Sequence, residues 1–276
     1  MKKYLVIGNP IGHSLSPLIH NYWMKKYRLF DSIYEKRKVE KKDLENIVKE
    51  IRSDKITGVN VTVPFKKLII PYLDELDFTA KKTESVNTLF KIKDKVVGHN
   101  TDREGFDLTM RELFPDPNDS LMSTALQGKN IFIIGAGGVT SSIIDALQHG
   151  SAKIFLSNRT KKKAEELKKK YREVEVLDWG KRPTICDIVI NTTSIGLTKD
   201  EKINIDFSDC SGDKHKLFYD LIYNPKETNF LKEARLRGNN TMNGQRMFLN
   251  QAIYAFNLWT NIKPEIDNEV IKLLDR

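Results

Sequence analysis

Four short stretches of this chain hold residue types whose spacing can do chemistry. In Gly98-His99-Asn100-Thr101-Asp102 a carboxylate closes a polar cluster at the joint between two folding units, a position well placed to work in a cleft. The plainer reading is a helix cap, since Asn, Thr and Asp all favour that position. Lys66 follows Gly58-Val59-Asn60-Val61-Thr62-Val63-Pro64-Phe65. Val59, Val61 and Val63 alternate with Asn60 and Thr62, which predicts a strand with both polar side chains on one face. Pro64 ends that strand or marks an edge. Lys66 then stands just beyond the strand's carboxyl end, where open α/β sheets put their ligands. Taken alone, it also reads as an ordinary surface lysine.

The other two stretches point to an anionic ligand. Gly135-Ala136-Gly137-Gly138 follows the apolar run Ile131-Phe132-Ile133-Ile134 and leads into a helical pattern. Gly135-x-Gly137-x-x-Thr140 in that context is a dinucleotide fingerprint. The first glycine permits a tight turn, and the second lets backbone amides approach a pyrophosphate at the positive end of the helix. Thr140 stands where Gly or Ala is usual, and a plain tight turn is the alternative. At the end of the next strand, where an NAD site places a ribose-binding carboxylate, the chain has Asn158-Arg159-Thr160. Arg159 offers a planar fork for a 2′-phosphate, and Thr160 can donate its hydroxyl and cap the following helix. Two charge-assisted hydrogen bonds favour NADP over NAD by roughly 10²–10⁴-fold.

The elements that must position these residues follow from periodicity. Tyr4–Ile7 reads as a buried strand, and Ser16 before Pro17 as the N-cap of a helix over Pro17–Tyr27. Met-Lys-Lys-Tyr-Leu-Val-Ile-Gly imitates the charged start of a signal peptide, but its apolar run is too short. A strand is predicted over Ile33–Val39, a helix over Lys42–Ile51, and helical segments from after Lys66 to about Lys82. A hairpin pairs Val86–Phe90 with Val96–Gly98, and a helix covers Phe106–Leu113. Strand–helix alternation with one hairpin implies an α/β sheet of mixed direction. Pro115–Gln127, rich in Pro, Asp, Asn and Ser, reads as a linker. Beyond it, strands at 131–134, Lys153–Ser157, Val174–Leu177, Asp187–Asn191 and Leu217–Leu221 alternate with helices at Val139–His149, Lys161–Tyr171 and Glu227–Arg237. This pattern implies a parallel sheet. Helices at Gln245–Trp259 and Glu265–Leu274 close the chain.

Composition narrows the class. The 276 residues, 39% hydrophobic and 30% charged, suffice for two modest domains with real cores. No apolar run approaches the ~18 residues of a membrane span. Cys186 and Cys210 lack metal-ligand or CxxC spacing, so reduced thiols in a cytoplasm are expected. The net charge of +9 favours anionic partners. The lysines, as in Lys161-Lys162-Lys163 and Lys168-Lys169-Lys170, are scattered without interleaved aromatics, which argues against nucleic acid. His13 and His20 lack acidic companions and read as turn and helix residues, so no metal site is expected.

Taken together, GNPIGHSLSP (8–17), NVTVPFK (60–66), SVNTL (85–89), GHNTDREG (98–105), GAGG (135–138), NRT (158–160), NTTSIGL (191–197), DLIYNPKETNFL (220–231) and NGQRMFLNQA (243–252) resemble the shikimate dehydrogenase family, in its order and across nearly the whole chain. The resemblance implies an N-terminal mixed-sheet α/β substrate domain, residues 1–105 completed by C-terminal helices 245–276. It implies a Rossmann-type parallel-sheet NADP(H)-binding domain over 106–244. By the same resemblance Ser14 and Ser16 match the residues that bind the substrate carboxylate. Asn60, Thr62, Asn87 and Gln251 match those bonding the ring hydroxyls, and Tyr223 a further substrate contact. Lys66 and Asp102 match the catalytic pair. Gly135, Ala136, Gly137, Gly138, Asn158, Arg159, Thr160 and Lys163 match the cofactor site, with the turn Thr192-Thr193-Ser194 and Gly244 near the nicotinamide end. A monomer or homodimer acting on a small molecule in the cytoplasm follows from it.

Two departures stand out. Glu84-Ser85 replaces the common Gly-Ala before Val-Asn-Thr, which would reshape the substrate wall. Thr140-Ser141 replaces a small residue and a base, which would weaken cofactor binding. The implied reaction is reversible reduction of 3-dehydroshikimate by NADPH. A ketone becoming an alkoxide needs positive charge and a proton, and a lysine ammonium supplies both. Lys66 is thus expected to stay cationic and relay its proton, while Asp102 orients it and contacts a substrate hydroxyl. The competing readings are a broader quinate/shikimate dehydrogenase, an aminoshikimate-type variant, and a non-catalytic NADPH-binding regulator. Ser16 in place of a bulkier threonine, and Arg159 without an acidic neighbour, tilt against the first. The intact pair tilts against the regulator.

Overall fold

The computed structural model describes residues 1–116, 125–198, 200–210 and 216–274. They form two compact units, Met1–Gly105 with Leu249–Arg276, and Phe106–Phe248. The first unit holds β1 (Lys2–Gly8), α1 (Ser16–Lys26), β2 (Ser32–Lys38), α2 (Leu44–Arg52), β3 (Gly58–Val61), β4 (Glu75–Leu76), α3 (Phe78–Thr83), β5 (Thr88–Ile92), β6 (Lys95–His99) and the first turn of α4 (Thr101–Leu113). The second holds β7 (Asn130–Ile134), α5 (Thr140–Leu147), β8 (Lys153–Ser157), α6 (Lys161–Lys170), β9 (Glu175–Leu177), β10 (Ile188–Asn191), β11 (Leu217–Asp220), α7 (Asn229–Leu236), β12 (Asn240–Met242) and the first turn of α8 (Gln245–Thr260). The rest of α8 and α9 (Asn268–Leu274) belong to the first unit.

The first sheet runs β2-β1-β3-β5-β6-β4. β1 is parallel to β2 and β3, β5 is antiparallel to β3 and β6, and β4 is parallel to β6. This is the mixed sheet the hairpin implies. Leu5, Ile7, Val59, Val61, Leu89 and Val96 pack with Leu44, Ile47, Val48 and Ile51, the apolar stripe of α2. The second sheet is wholly parallel, in the order β12-β11-β10-β7-β8-β9. Its central strands carry the apolar runs 131–134 and 188–190 because both faces are covered. Ile131, Ile133 and Ile190 pack with Ile143, Ile144 and Leu147 of α5, while Phe132, Ile134 and Val189 pack with Phe230 and Leu231 of α7. The sheet winds outward in both directions from β7 and β10, so the loops after these two strands part at a topological switch point.

Several boundaries differ from the sequence reading. Ser16 is the first helical residue of α1, and Leu15 holds the cap position without a side-chain bond; Ser14 Oγ accepts from the Ser16 amide instead, at 3.4 Å. β3 ends at Val61, so Thr62 and Val63 lie in the turn, and Val63 is exposed. α4 begins at Thr101 and contains Asp102. The chain from 66 to 82 folds as a turn, a short 3-10 segment, β4 and α3 rather than a run of helix. β4 and β12 have no apolar alternation and exist through pairing with β6 and β11. Of the expected linker, residues 117–124 lie outside the described residues.

The other face of the first sheet carries a buried histidine. His20 stacks on Tyr34 with centroids 4.3 Å apart and meets Trp23 edge-on at 5.6 Å. Neither ring nitrogen has a partner among the described residues. Burial pushes its pKa from 6.5 down to about 3. The unfolded chain therefore takes up a proton below 6.5 that the folded chain refuses until about 3. The stability conferred by the neutral ring is whole above that upper value. It is lost as pH falls, at up to about 1.4 kcal/mol per unit. His20→Phe is expected to flatten the acid side of the stability curve by one proton, measured by urea unfolding across that range; an unchanged slope would contradict the neutral ring.

Candidate functional site

In the first unit, the polar cluster resolves into a cap and an ion pair. Asn100 Oδ1 accepts from the Arg103 amide at 3.2 Å, while its Nδ2 donates to Thr83 Oγ1 at 2.9 Å and to the Ser85 carbonyl at 2.7 Å. Asn100 therefore caps α4, and the Asp102 carboxylate is not spent on the helix end. It accepts instead from Lys66 Nζ at 2.6 Å, with only 12% of the lysine and 9% of the aspartate side chain exposed. Lys66 sits in the turn after β3. Phe65 is buried beside it, and the Lys66 carbonyl accepts from the Val86 amide at 2.9 Å. The turn is thus tied to the chain entering β5.

Next to this pair runs a chain of amides and hydroxyls. Tyr34 Oη donates to Asn60 Oδ1 at 2.6 Å, and Asn60 Nδ2 donates to the Asn87 carbonyl at 3.2 Å and Thr88 Oγ1 at 3.1 Å. Thr88 Oγ1 donates to Asn87 Oδ1 at 3.0 Å. Asn87 Oδ1 also accepts from the Thr101 amide at 2.8 Å, and Asn87 Nδ2 donates to Thr101 Oγ1 at 2.9 Å and, more weakly, to Gln251 Oε1 at 3.5 Å. Asn60, Asn87 and Gln251 are thus brought together with Thr101, the residue before Asp102. Thr62 is not part of this chain, because β3 stops short of it. Ser14 and Ser16 form their own pair, Oγ to Oγ at 3.2 Å. Tyr34 lies in no motif, and Thr88 and Thr101, although inside SVNTL and GHNTDREG, were given no role by the sequence reading.

The second unit gathers the glycine turn and the loops beside it. Gly135 has φ +109, and a Cβ there would lie 2.7 Å from Thr192 Oγ1, whereas a Cβ on Gly137 would meet open space. Thr140, the departure from the usual pattern, is buried. Its Oγ1 accepts from the Gly137 amide at 3.0 Å, lies 3.1 Å from the Gly135 carbonyl and 2.9 Å from Thr192 Oγ1. It bolts the turn to the end of β10 and does not intrude on its exposed side. Asn158 Oδ1 accepts from the Ala136 amide at 3.0 Å, and its Nδ2 donates to the Thr160 carbonyl at 2.8 Å. Gly138, half-buried, leads the turn into α5. Thr160 holds the cap position of α6 but makes no side-chain cap bond, against expectation; its extended backbone leaves the hydroxyl to other partners. Arg159 and Lys163 are exposed and carry no ion pair among the described residues. Lys161, by contrast, is paired with Asp178 at 2.6 Å.

The loop after β10 is shaped from below. Asn191 Oδ1 accepts from the Thr193 amide at 3.0 Å and its hydroxyl at 2.7 Å, with Ser194 exposed at the tip. Asn191 Nδ2 donates to Asp220 Oδ1 at 3.0 Å, and Thr228 Oγ1 donates to Asp220 Oδ2 at 2.6 Å. Burial pushes the Asp220 carboxyl up to about 6 in spite of these donors. Tyr223 stacks on Phe248 at 4.2 Å. A Cβ on Gly244 would collide with the Leu221 carbonyl oxygen, so only glycine lets the chain entering α8 lie against that strand end. Open space at Gly137, an α5 first turn without acidic residues, and Arg159 and Lys163 without ion pairs among the described residues fit a dinucleotide carrying an extra phosphate. Among the described residues no cluster of three or more His, Cys, Asp or Glu is arranged to hold a metal ion.

The chain is similar to known proteins along nearly its whole length. Residues 6–89 match the family described as shikimate dehydrogenase substrate binding domain, and residues 119–228 match shikimate / quinate 5-dehydrogenase. The chain is 50% identical over 275 residues to shikimate dehydrogenase (NADP(+)) of Pelagibacter ubique, covering 99% of each chain. It superposes on shikimate dehydrogenase from Aquifex aeolicus with TM-score 0.86 at 34% identity, covering 100% of this chain and 98% of the other. With the shikimate 5-dehydrogenase from Thermus thermophilus in complex with NADP(H) and shikimate, the TM-score is 0.83 at 27% identity, covering 100% and 98%.

The turn geometry makes a direct prediction. Gly135→Ala forces a side chain into a left-handed backbone against Thr192 and should cost about 1–3 kcal/mol. Gly137→Ala, which meets nothing, should change stability by roughly 0.5 kcal/mol or less. Urea unfolding of both variants checks this, and equal losses would refute the assigned geometry.

Proposed function

Since this chain belongs to the shikimate dehydrogenase family, we propose that it catalyses the reversible NADPH-dependent reduction of 3-dehydroshikimate to shikimate, a step of the shikimate pathway toward chorismate and the aromatic amino acids. The observation that carries the reading is the Lys66–Asp102 pair at 2.6 Å, nine-tenths buried and next to a chain of oriented amides. In this reading, residues 1–105 with the C-terminal helices bind the substrate and 106–244 bind NADP(H).

When bound, NADPH supplies the hydride. The protein's own groups handle charge and proton. Lys66 holds a positive charge at the ketone oxygen, stabilises the alkoxide as it forms, and delivers a proton to it. Asp102 accepts from Lys66 Nζ, which fixes the ammonium's direction, and its second oxygen serves a substrate hydroxyl. Ser14 and Ser16 hold the substrate carboxylate. Asn60, Thr62, Asn87 and Gln251 hold the ring hydroxyls, and Tyr223 adds a further contact. Gly135 to Gly138, Thr192, Thr193, Ser194 and Gly244 line the cofactor. Asn158 fixes the loop from which Arg159 and Thr160 bind the 2′-phosphate, joined by Lys163 from the first turn of α6.

The same reading makes the protein a cytoplasmic monomer or homodimer. Both cysteines are free and buried, and among the described residues no helix is long and apolar enough to cross a membrane. Oxidation of shikimate and of quinate, followed through the absorbance of the reduced cofactor, tests the assignment. Preference for shikimate supports it, equal rates favour the broader quinate/shikimate enzyme, and no turnover favours a cofactor-binding regulator.

Lys66→Ala is expected to lower kcat by roughly 10²–10⁴-fold with a modest change in KM; a surviving kcat would move the proton-donating role to another group. The preference for NADP over NAD should be about 10²–10⁴ in kcat/KM, and Arg159→Ala should narrow it. Comparable values for both cofactors in the wild type would refute the clamp.

A further inference from the structure

One cluster beside the catalytic pair has no part in that mechanism. His99, the last residue of β6, lies between two carboxylates, with Nδ1 2.6 Å from Asp77 Oδ2 and Nε2 3.2 Å from Glu104 Oε1. Asp77 caps α3, accepting from the Ala80 amide at 2.8 Å. Glu104 lies in the first turn of α4, on the same turn as Asp102. Its other oxygen, Oε2, is buried without a partner among the described residues.

A neutral imidazole has one N–H and can serve one carboxylate; an imidazolium serves both. Asp77, at the start of α3, and Glu104, on α4, are the charged groups that face the ring. Of the other charged groups on neighbouring strands and on α4, Glu75 of β4 pairs with Lys95, Lys91 of β5 with Asp54, Asp102 with Lys66 and Asp107 with Arg111.

We propose that His99 is a positioning residue for the Lys66–Asp102 pair: as a cation it clamps Glu104 to Asp77 and so fixes the first turn of α4, from which Asp102 reaches Lys66. The proposal rests on the catalytic role given to that pair. Burial pulls against the ring's charge, but Asp77 and Glu104 outweigh it and raise the pKa from 6.5 to about 9. The clamp is therefore complete below the lower value and is lost as pH rises through the upper one. Once the ring is neutral, one carboxylate loses its donor. Glu104, the more distant, is released.

The full-length wild type, His99→Gln and Glu104→Gln test this. NMR titration of the wild-type ring should give a midpoint near 9, and Glu104→Gln should move it to lower pH. In shikimate oxidation, wild-type kcat should fall through the same range. His99→Gln should lower kcat at neutral pH by roughly 10–100-fold with KM little changed, and should lack that limb. Glu104→Gln should shift the limb toward acid. A ring titrating at its ordinary value overturns the clamp without any turnover being needed. A limb that neither variant moves overturns its link to Asp102. A wild type inactive on shikimate overturns the functional reading and that link together, while the ring titration still judges the clamp.

Discussion

An ammonium and a carboxylate 2.6 Å apart, with about a tenth of each side chain exposed, set the terms for everything around them. Removing both charges from water costs several kcal/mol per ion, and their attraction offsets this only where geometry is fixed and other polar groups are satisfied. The first unit meets both conditions. The Lys66 turn is held by buried Phe65 and by the Val86 amide. The Asp102 end is held because Asn100 takes the capping duty and is itself bonded to Thr83 and Ser85. Had Asp102 capped α4, its carboxylate would have turned to the backbone and the lysine would have lost its partner.

The chain of amides depends on the same discipline. Two backbone groups fix its direction: the Asn87 carbonyl can only accept, and the Thr101 amide can only donate. Asn60 must therefore present its nitrogen to Asn87, and Asn87 its oxygen to Thr101. Gln251 then turns its oxygen toward both, at 3.5 Å. Such a surface is polar, neutral and directional, which suits a ligand read by its hydroxyls. The second unit does the opposite. It leaves cationic side chains exposed, without ion pairs among the described residues, at Arg159 on a loop stiffened by Asn158 and at Lys163 in the first turn of α6. That suits a phosphate, which brings its own charge.

Strong periodicity made most elements legible in the sequence, and the residues at their ends carried the site. Lys66 and Arg159 could be placed because each follows a recognisable strand, although Lys66 alone also read as a surface lysine and the family resemblance decided its role. Cap preference alone could not separate Asn100, Thr101 and Asp102, since three good cap formers in a row are degenerate; the family resemblance singled out Asp102, and the fold gives the cap to Asn100. The roles of Tyr34 and Thr88 escaped for another reason. Their bonds to Asn60 span 26 and 28 positions, and although Thr88 falls within SVNTL, nothing local marks either residue as a partner of Asn60. β4 and β12 are two and three residues long and are defined wholly by neighbours.

Thr140 shows how a partner can reverse the meaning of a residue. Read along the chain it is a flaw in the glycine fingerprint, a hydroxyl where a small apolar side chain belongs. In the fold its hydroxyl lies 2.9 Å from that of Thr192, 52 positions later, and takes up the Gly137 amide. Thr192 in turn donates to the Ile134 carbonyl at 2.9 Å, at the end of β7. The two threonines thus fasten the loops after β7 and β10 at the point where the strand order reverses. Open α/β sheets bind ligands at that crevice because the loops diverge there, and divergence leaves backbone groups without neighbours. A buried pair of hydroxyls supplies them, so the departure from the pattern ties the turn from its buried side.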